Sequence, residues 1–203
     1  MTMIRIGLIG INTRAKDYLG LYLGKVLSMD HKVVLVTRQQ SVMGGLEDYE
    51  HNETYRIVNH IPVGFEADYL IVDGVSLDRT SYDFLFFVTG PQLSEVTDNA
   101  WIFNKGILEK DCVIYHNILV DSTINGKYLS NRFKIDLGKI KVLERPSNEW
   151  DLTMDMENDY DQSIGMRHMS RDYQKLIHNM IQHCTDDKDK VIRKWLNKAK
   201  RSK

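Results

Sequence analysis

Short apolar runs alternate along the chain with stretches of helical period. "MIRIGLIG" (Met3 to Gly10), "KVVLVT" (Lys32 to Thr37), "DYLIVDG" (Asp68 to Gly74), "DFLFFVTG" (Asp83 to Gly90), "CVIYHNIL" (Cys112 to Leu119) and "KVLERP" (Lys141 to Pro146) have the length and β-branched content of buried strands. After the first run, Tyr18, Leu19, Tyr22, Leu23, Val26 and Leu27 recur at helical spacing. Gly20 and Gly24 lie four apart in that helix, where each costs about 1 kcal/mol relative to Ala. Their place there implies close packing on a sheet. Residues 91–108 form a second helical pattern with Pro91 near its start, and residues 170–184 a third with Ser170 as its cap. Strands alternating with helices predict a single α/β domain: a doubly wound, mostly parallel sheet with helices on both faces. No internal repeat and no low-complexity segment interrupts it.

Composition fits a soluble globular chain: of 203 residues, 42% are hydrophobic and 27% charged. The N-terminus lacks the pattern of a secretory signal, and no apolar run reaches the roughly 18 residues of a spanning helix. Cys112 and Cys184 form no CxxC, so a reducing, cytoplasmic setting is expected. The net charge of -1 conceals an asymmetry. The last sixteen residues, "KDKVIRKWLNKAKRSK", carry eight Lys/Arg against one Asp, leaving 19 basic and 27 acidic side chains elsewhere. The expected organisation is therefore an α/β domain over 1–185 and a basic amphipathic helix or tail over 186–203.

The loop after the first strand is where doubly wound sheets place ligands. A phosphate loop, G-x-x-x-x-G-K-[ST], uses glycines to close backbone N–H groups on phosphate, a lysine to neutralise it and a hydroxyl for Mg²⁺. In "GINTRAKD", Gly10 and Lys16 fit, Ala15 replaces the second glycine, and Asp17 replaces the hydroxyl. Arg14 adds a second cation. Each of these residues also has a structural reading. Lys16 suits a solvated first turn and Asp17 a helix N-terminus. Asp73 suits a cap or a hydrogen-bonded structural acid, and Asn117 a turn.

The stretch "IGLIGINTRAKDYLGLYLGKVL" resembles the opening of the MinD/ParA family of P-loop NTPases, the deviant Walker A (SIMIBI) class, usually "IAVxSGKGGVGKTTLAxNLAxAL". "DYLIVDG" is similar to the family's Walker B strand, with Asp73 as its acid. "FFVTGPQLSEVTDN" is similar to a later strand and proline-led helix. "VIYHNILVDSTINGKYL" resembles the strand ending in an adenine-reading asparagine, here Asn117. "RPSNEWDLTMDMENDYDQSIGMRHMSRDYQKLI" is similar to the passage from the last strand into a C-terminal helix. The resemblance spans roughly residues 3 to 185 and implies a nucleotide site at Gly10, Arg14, Ala15, Lys16, Asp17, Asp73 and Asn117.

Departures from that family bear on function. Ile11 stands where the signature lysine reaches a partner's phosphates, Asn12 and Thr13 replace two glycines, and "TRQQSVMGG" lacks the acid of the switch. Phosphoryl transfer is positioning and electrostatic stabilisation, so these losses together imply a pseudo-ATPase with no catalytic residue and no resident cofactor. ATP with Mg²⁺, held by Lys16 and Arg14, is the alternative, as a slow ATPase. A further alternative is a dinucleotide-binding oxidoreductase, with "GLIGINT" as fingerprint and Arg38 meeting a 2′-phosphate.

In the basic stretch, Val191, Ile192, Trp195, Leu196 and Ala199 fall within an arc of roughly 140°, opposite Arg193, Lys194 and Lys198. That pattern suits a helix on an anionic membrane, a helix docked on its own domain, or one meeting an acidic partner or nucleic acid. MinD relatives carry a C-terminal membrane helix, so the resemblance implies a place on the inner face of the membrane. It also implies other proteins of a larger assembly as partners and a possible homodimer, with nucleic acid the weaker candidate. The expected role is a non-catalytic adaptor of a bacterial machine for secretion, pilus assembly, division or conjugation. The histidines show no shared metal face: His178 and His183 are five apart on one helix.

Overall fold

The computed structural model describes residues 3–10, 14–37, 50–61, 64–74, 82–90, 111–117, 126–132, 140–146 and 148–202. Eight strands form one sheet: β1 (Ile4–Gly10), β2 (Val33–Val36), β3 (Glu50–Asn52), β4 (Tyr55–Val58), β5 (Tyr69–Asp73), β6 (Phe84–Thr89), β7 (Cys112–Asn117) and β8 (Lys141–Pro146). Their order is β3-β4-β2-β5-β1-β6-β7-β8, and every pairing is parallel except β3 with β4. The helices are α1 (Arg14–Leu27), α2 (Gly126–Arg132), α3 (Glu149–Asp161), α4 (Arg171–Cys184) and α5 (Asp189–Arg201). The predicted strands are all present, trimmed by at most one residue at an end; Ile118 and Leu119 of the predicted 112–119 strand lie outside the described residues. The short hairpin β3–β4, the brief α2 and the whole of α3 escape the pattern analysis. The helix expected over 91–108 lies outside the described residues.

Alternation along β1 shows how the sheet sorts its side chains. Ile6 and Leu8 enter the main core, while Ile9 joins Leu85, Phe87 and Val113 on the opposite face. The main core is closed by α1, α4 and α5. Tyr173, Leu176, Ile177, Met180, Ile181 and Cys184 give α4 a buried stripe at i, i+3, i+4, i+7, i+8 and i+11. Ser170 caps that helix as expected, its hydroxyl accepting from the Tyr173 N–H at 3.1 Å. Gly24 permits the close approach foreseen for α1: a Cβ there would lie 2.5 Å from the Tyr55 hydroxyl of β4. That hydroxyl donates to the Leu21 carbonyl at 3.0 Å.

Cys112 and Cys184 are both buried thiols in the main core. Burial pushes Cys112 up to about 12 and Cys184 upward as well. Lys25, inside α1, is also buried. Its ammonium donates to the Ile164 carbonyl at 2.5 Å and the Ser202 carbonyl at 3.3 Å. Desolvation lowers it to about 8.

Candidate functional site

The chain runs outward from β1 to β2 and β4, returns through β5, then crosses β1 to build β6, β7 and β8. The carboxyl end of β1 is thus the point where strand order reverses, the usual ligand crevice of such sheets. Gly10 ends β1 with φ +151, and a Cβ there would meet the Val88 carbonyl oxygen at 2.2 Å. Only glycine fits. Beyond Ile11, Asn12 and Thr13, which lie outside the described residues, α1 begins.

Lys16, in the first turn of α1, folds back over the strand end. Its Nζ lies 2.9 Å from Oδ1 of Asp73 and donates to the Gly10 carbonyl at 3.3 Å. Asp73 ends β5 beside β1, in register with Leu8. Both side chains are sealed from solvent, Lys16 at 0% exposure and Asp73 at 3%. The structure therefore corrects the reading of Lys16 as a solvated lysine. Ala15 and Asp17 are buried next to it. Of the predicted site, Gly10, Ala15, Lys16, Asp17 and Asp73 are brought to one place. Arg14 opens α1, and Asn117 ends β7 two strands from β1, but their side chains lie outside the description. Most of the switch segment "TRQQSVMGG" also lies outside it.

The sheet order corrects the dinucleotide reading. That fold sets its second strand beside its first. Here β5 occupies the place, and β2 is one strand further out.

A buried polar cluster, missed by sequence reasoning, stands behind the loop. It joins α1 to β8 and α3. The Tyr22 hydroxyl donates to Asp155 Oδ1 at 2.7 Å, and Arg145 donates to Asp155 Oδ2 at 3.0 Å. The Arg145 guanidinium also lies 4.1 Å from the centroid of the Tyr173 ring. Asn158 donates to the Tyr22 hydroxyl and the Gly165 carbonyl, and accepts from the Gly165 N–H. Asp151 accepts from the Ser170 N–H and hydroxyl, which fixes the start of α4. The Tyr18 hydroxyl, two residues past Lys16, reaches the Asp155 carbonyl and Asp159 Oδ1. The first turns of α1 are thereby locked onto α3. A signal for α3 was present in Asn148 followed three residues later by Asp151, whose N–H the Asn148 side chain caps at 2.9 Å.

The basic C-terminal stretch is a helix rather than a loose tail. It folds as α5, whose Ile192, Trp195, Leu196 and Ala199 belong to the same core as β1 and α1, with Val191 packed against it. The apolar stripe considered for a membrane or partner is therefore turned into the domain. It packs against both α1 and α4. Trp195 sets its ring edge-on to His31 at 5.1 Å, and Lys198 donates to the Met29 carbonyl at 2.9 Å. Arg193 pairs with Asp189, one turn before it, at 2.7 Å, and Lys194 is exposed. Arg193 and Leu196 line a cleft of about 360 Å³ between α4 and α5, with Arg171, Lys175 and His178. Among the described residues, no helix is long and apolar enough to cross a membrane.

No protein-family model matches the chain, and no curated protein matches its sequence. Solved structures do match its fold. A ParA family ATPase from Chlorobium tepidum TLS superposes with a TM-score of 0.59 at 15% identity, covering 90% of this chain and 99% of the other. The cell division protein MinD of Aquifex aeolicus gives 0.61 at 12%, covering 91% and 100%. The MinC:MinD cell division complex of the same organism gives 0.57 at 13%, covering 91% and 98%. The single-domain, mostly parallel architecture is that of the ParA and MinD ATPases.

Proposed function

We propose that this chain is a non-catalytic relative of the ParA/MinD ATPases, a positioning or assembly protein that keeps the scaffold of the phosphate site without its chemistry. The observation that carries the reading is the sealed ion pair between Lys16 and Asp73. The residues present do not fit the magnesium–triphosphate group that this fold is built around. Phosphates would have to draw Lys16 off Asp73, and no hydroxyl follows Lys16 to help Asp73 hold the Mg²⁺ that would take its place. Asp17 adds a negative charge where a hydroxyl is needed, and Ala15 adds a Cβ where the loop needs a bare backbone. Neutral binding of a fold to its partners needs none of these groups. A MinD structure solved in complex with MinC gives the analogy for a protein partner.

The test is calorimetry and a phosphate-release assay with ATP and Mg²⁺. No heat at about 100 μM nucleotide and no turnover above background are expected. Micromolar binding that is lost in the paired variant Lys16→Met/Asp73→Leu would overturn the reading in favour of a slow ATPase. The paired variant is used because Lys16→Ala alone strands Asp73.

A further inference from the structure

Helix α3 is folded with its polar side in. The residues it buries are Asp151, Met154, Asp155 and Asn158. The residues it exposes include Trp150, Leu152, Met156 and Tyr160, at 70%, 44%, 65% and 92%. The buried side is accounted for by the cluster with Tyr18, Tyr22 and Arg145. Among the described residues, no hydrogen bond, ion pair or ring contact accounts for the exposed apolar side chains of the outer side. Leu152, Met156 and Tyr160 recur every four residues, so they form a row about 12 Å long at 1.5 Å per residue. Trp150 stands at the other flank of the same exposed arc. Aromatic residues and Met are the types enriched at the centres of protein interfaces.

Charge narrows what can cover this row. The sequence of α3, "EWDLTMDMENDYD", has six acidic residues and no Lys or Arg. Glu149, Glu157 and Asp161 are exposed beside the apolar row. Such a face is repelled by an anionic bilayer and by a phosphate backbone. A second copy of this chain is a poor match as well. Among the described helices its strongly basic one is α5, and the apolar stripe of α5 is closed into the core.

We propose that the outer face of α3 docks a cationic amphipathic helix of another protein. The apolar residues of that helix, at i, i+3 or i+4 and i+7, lie along Leu152, Met156 and Tyr160. Its Lys and Arg residues meet Glu149, Glu157 and Asp161. The inference goes beyond the reading of the phosphate loop and holds whether or not Lys16 ever meets a nucleotide.

The probe is a fluorescent synthetic Leu/Lys peptide of about 18 residues with helical amphipathic spacing, titrated with the full chain and followed by anisotropy. The variant Met156→Glu/Tyr160→Ser changes only exposed side chains, and its melting curve is the check on folding. Expected is saturable binding that weakens about tenfold or more in the variant and falls as salt is raised to about 0.5 M. Equal affinity for wild type and variant would overturn the proposal. So would equally tight binding of a Leu/Glu peptide of the same pattern. Sedimentation with phosphatidylglycerol vesicles that depends on Met156 and Tyr160 would assign the face to a membrane and overturn it too.

Discussion

Lys16 and Asp73 illustrate how a buried charge pair can be indispensable as two halves yet replaceable as a whole. Removing one partner leaves the other desolvated and uncompensated, so Lys16→Met or Asp73→Asn should each cost about 3–5 kcal/mol. The double replacement Lys16→Met/Asp73→Leu should recover most of that loss, and a double-mutant cycle on urea midpoints measures the coupling. Gly10 makes a sharper demand. A side chain there has both the wrong φ and a Cβ 2.2 Å from the Val88 carbonyl. Gly10→Ala should therefore lower stability by at least about 1–3 kcal/mol, visible as a fall in melting temperature. Gly10 and Lys16 were singled out by the spacing of a phosphate loop and Asp73 by the resemblance to a Walker B strand, and the structure brings the three side by side. Their state was not legible in the sequence. Nothing in "GINTRAKD" says whether Lys16 reaches outward to solvent or back onto β5, because that depends on a strand nearly 60 residues away.

Among the elements, legibility follows how far each obeys the rule of apolar side inward. The stripe of α4 obeys it and was found together with its Ser170 cap, and α1 was found from its apolar period although Lys16, Asp17 and Lys25 are buried with it. Helix α3 reverses it, burying Asp151, Asp155 and Asn158, so hydrophobic periodicity could not reveal it. Only its N-terminal cap gave a local sign. The β3–β4 hairpin failed for a different reason: Glu50–Asn52 and Tyr55–Val58 are too short to show alternation. For α5 the stripe was evident but its destination was not, since an apolar face fits a bilayer and a core equally. With Trp195 and Ile192 buried, Trp195→Ala should cost about 3–5 kcal/mol, measured by denaturant unfolding. Deleting residues 189–203 should abolish the cooperative melt, which a dispensable membrane anchor would leave intact. A truncated chain that melts like the full one would refute this placement of α5.

The whole molecule carries a pH signature set by groups it buries. Lys25 ordinarily titrates near 10.5 and here near 8. Between those values the unfolded chain holds a proton that the folded chain has released, so this group makes stability rise with pH. The thiols act in the opposite sense. Cys112 is moved from 9.0 to about 12, so above pH 9 the unfolded chain loses a proton that the folded one retains. Cys184 is raised for the same reason, and Tyr69, moved from 10.0 to about 12, adds to the fall beyond pH 10. Each proton contributes a slope of about 1.4 kcal/mol per pH unit. Urea midpoints should therefore climb from pH 8 to 9 and decline beyond it, and Lys25→Met should remove the climb. A last consequence belongs to synthesis rather than stability. Lys198 bonds Met29 across 169 residues, and Lys25 bonds Ser202 across 177. The apolar side of α1 thus leaves the ribosome long before the helix that covers it. At about 5–20 residues per second, that interval is roughly 8 to 34 s, during which the nascent chain exposes an unfinished core. Closures of such sequence separation also slow folding.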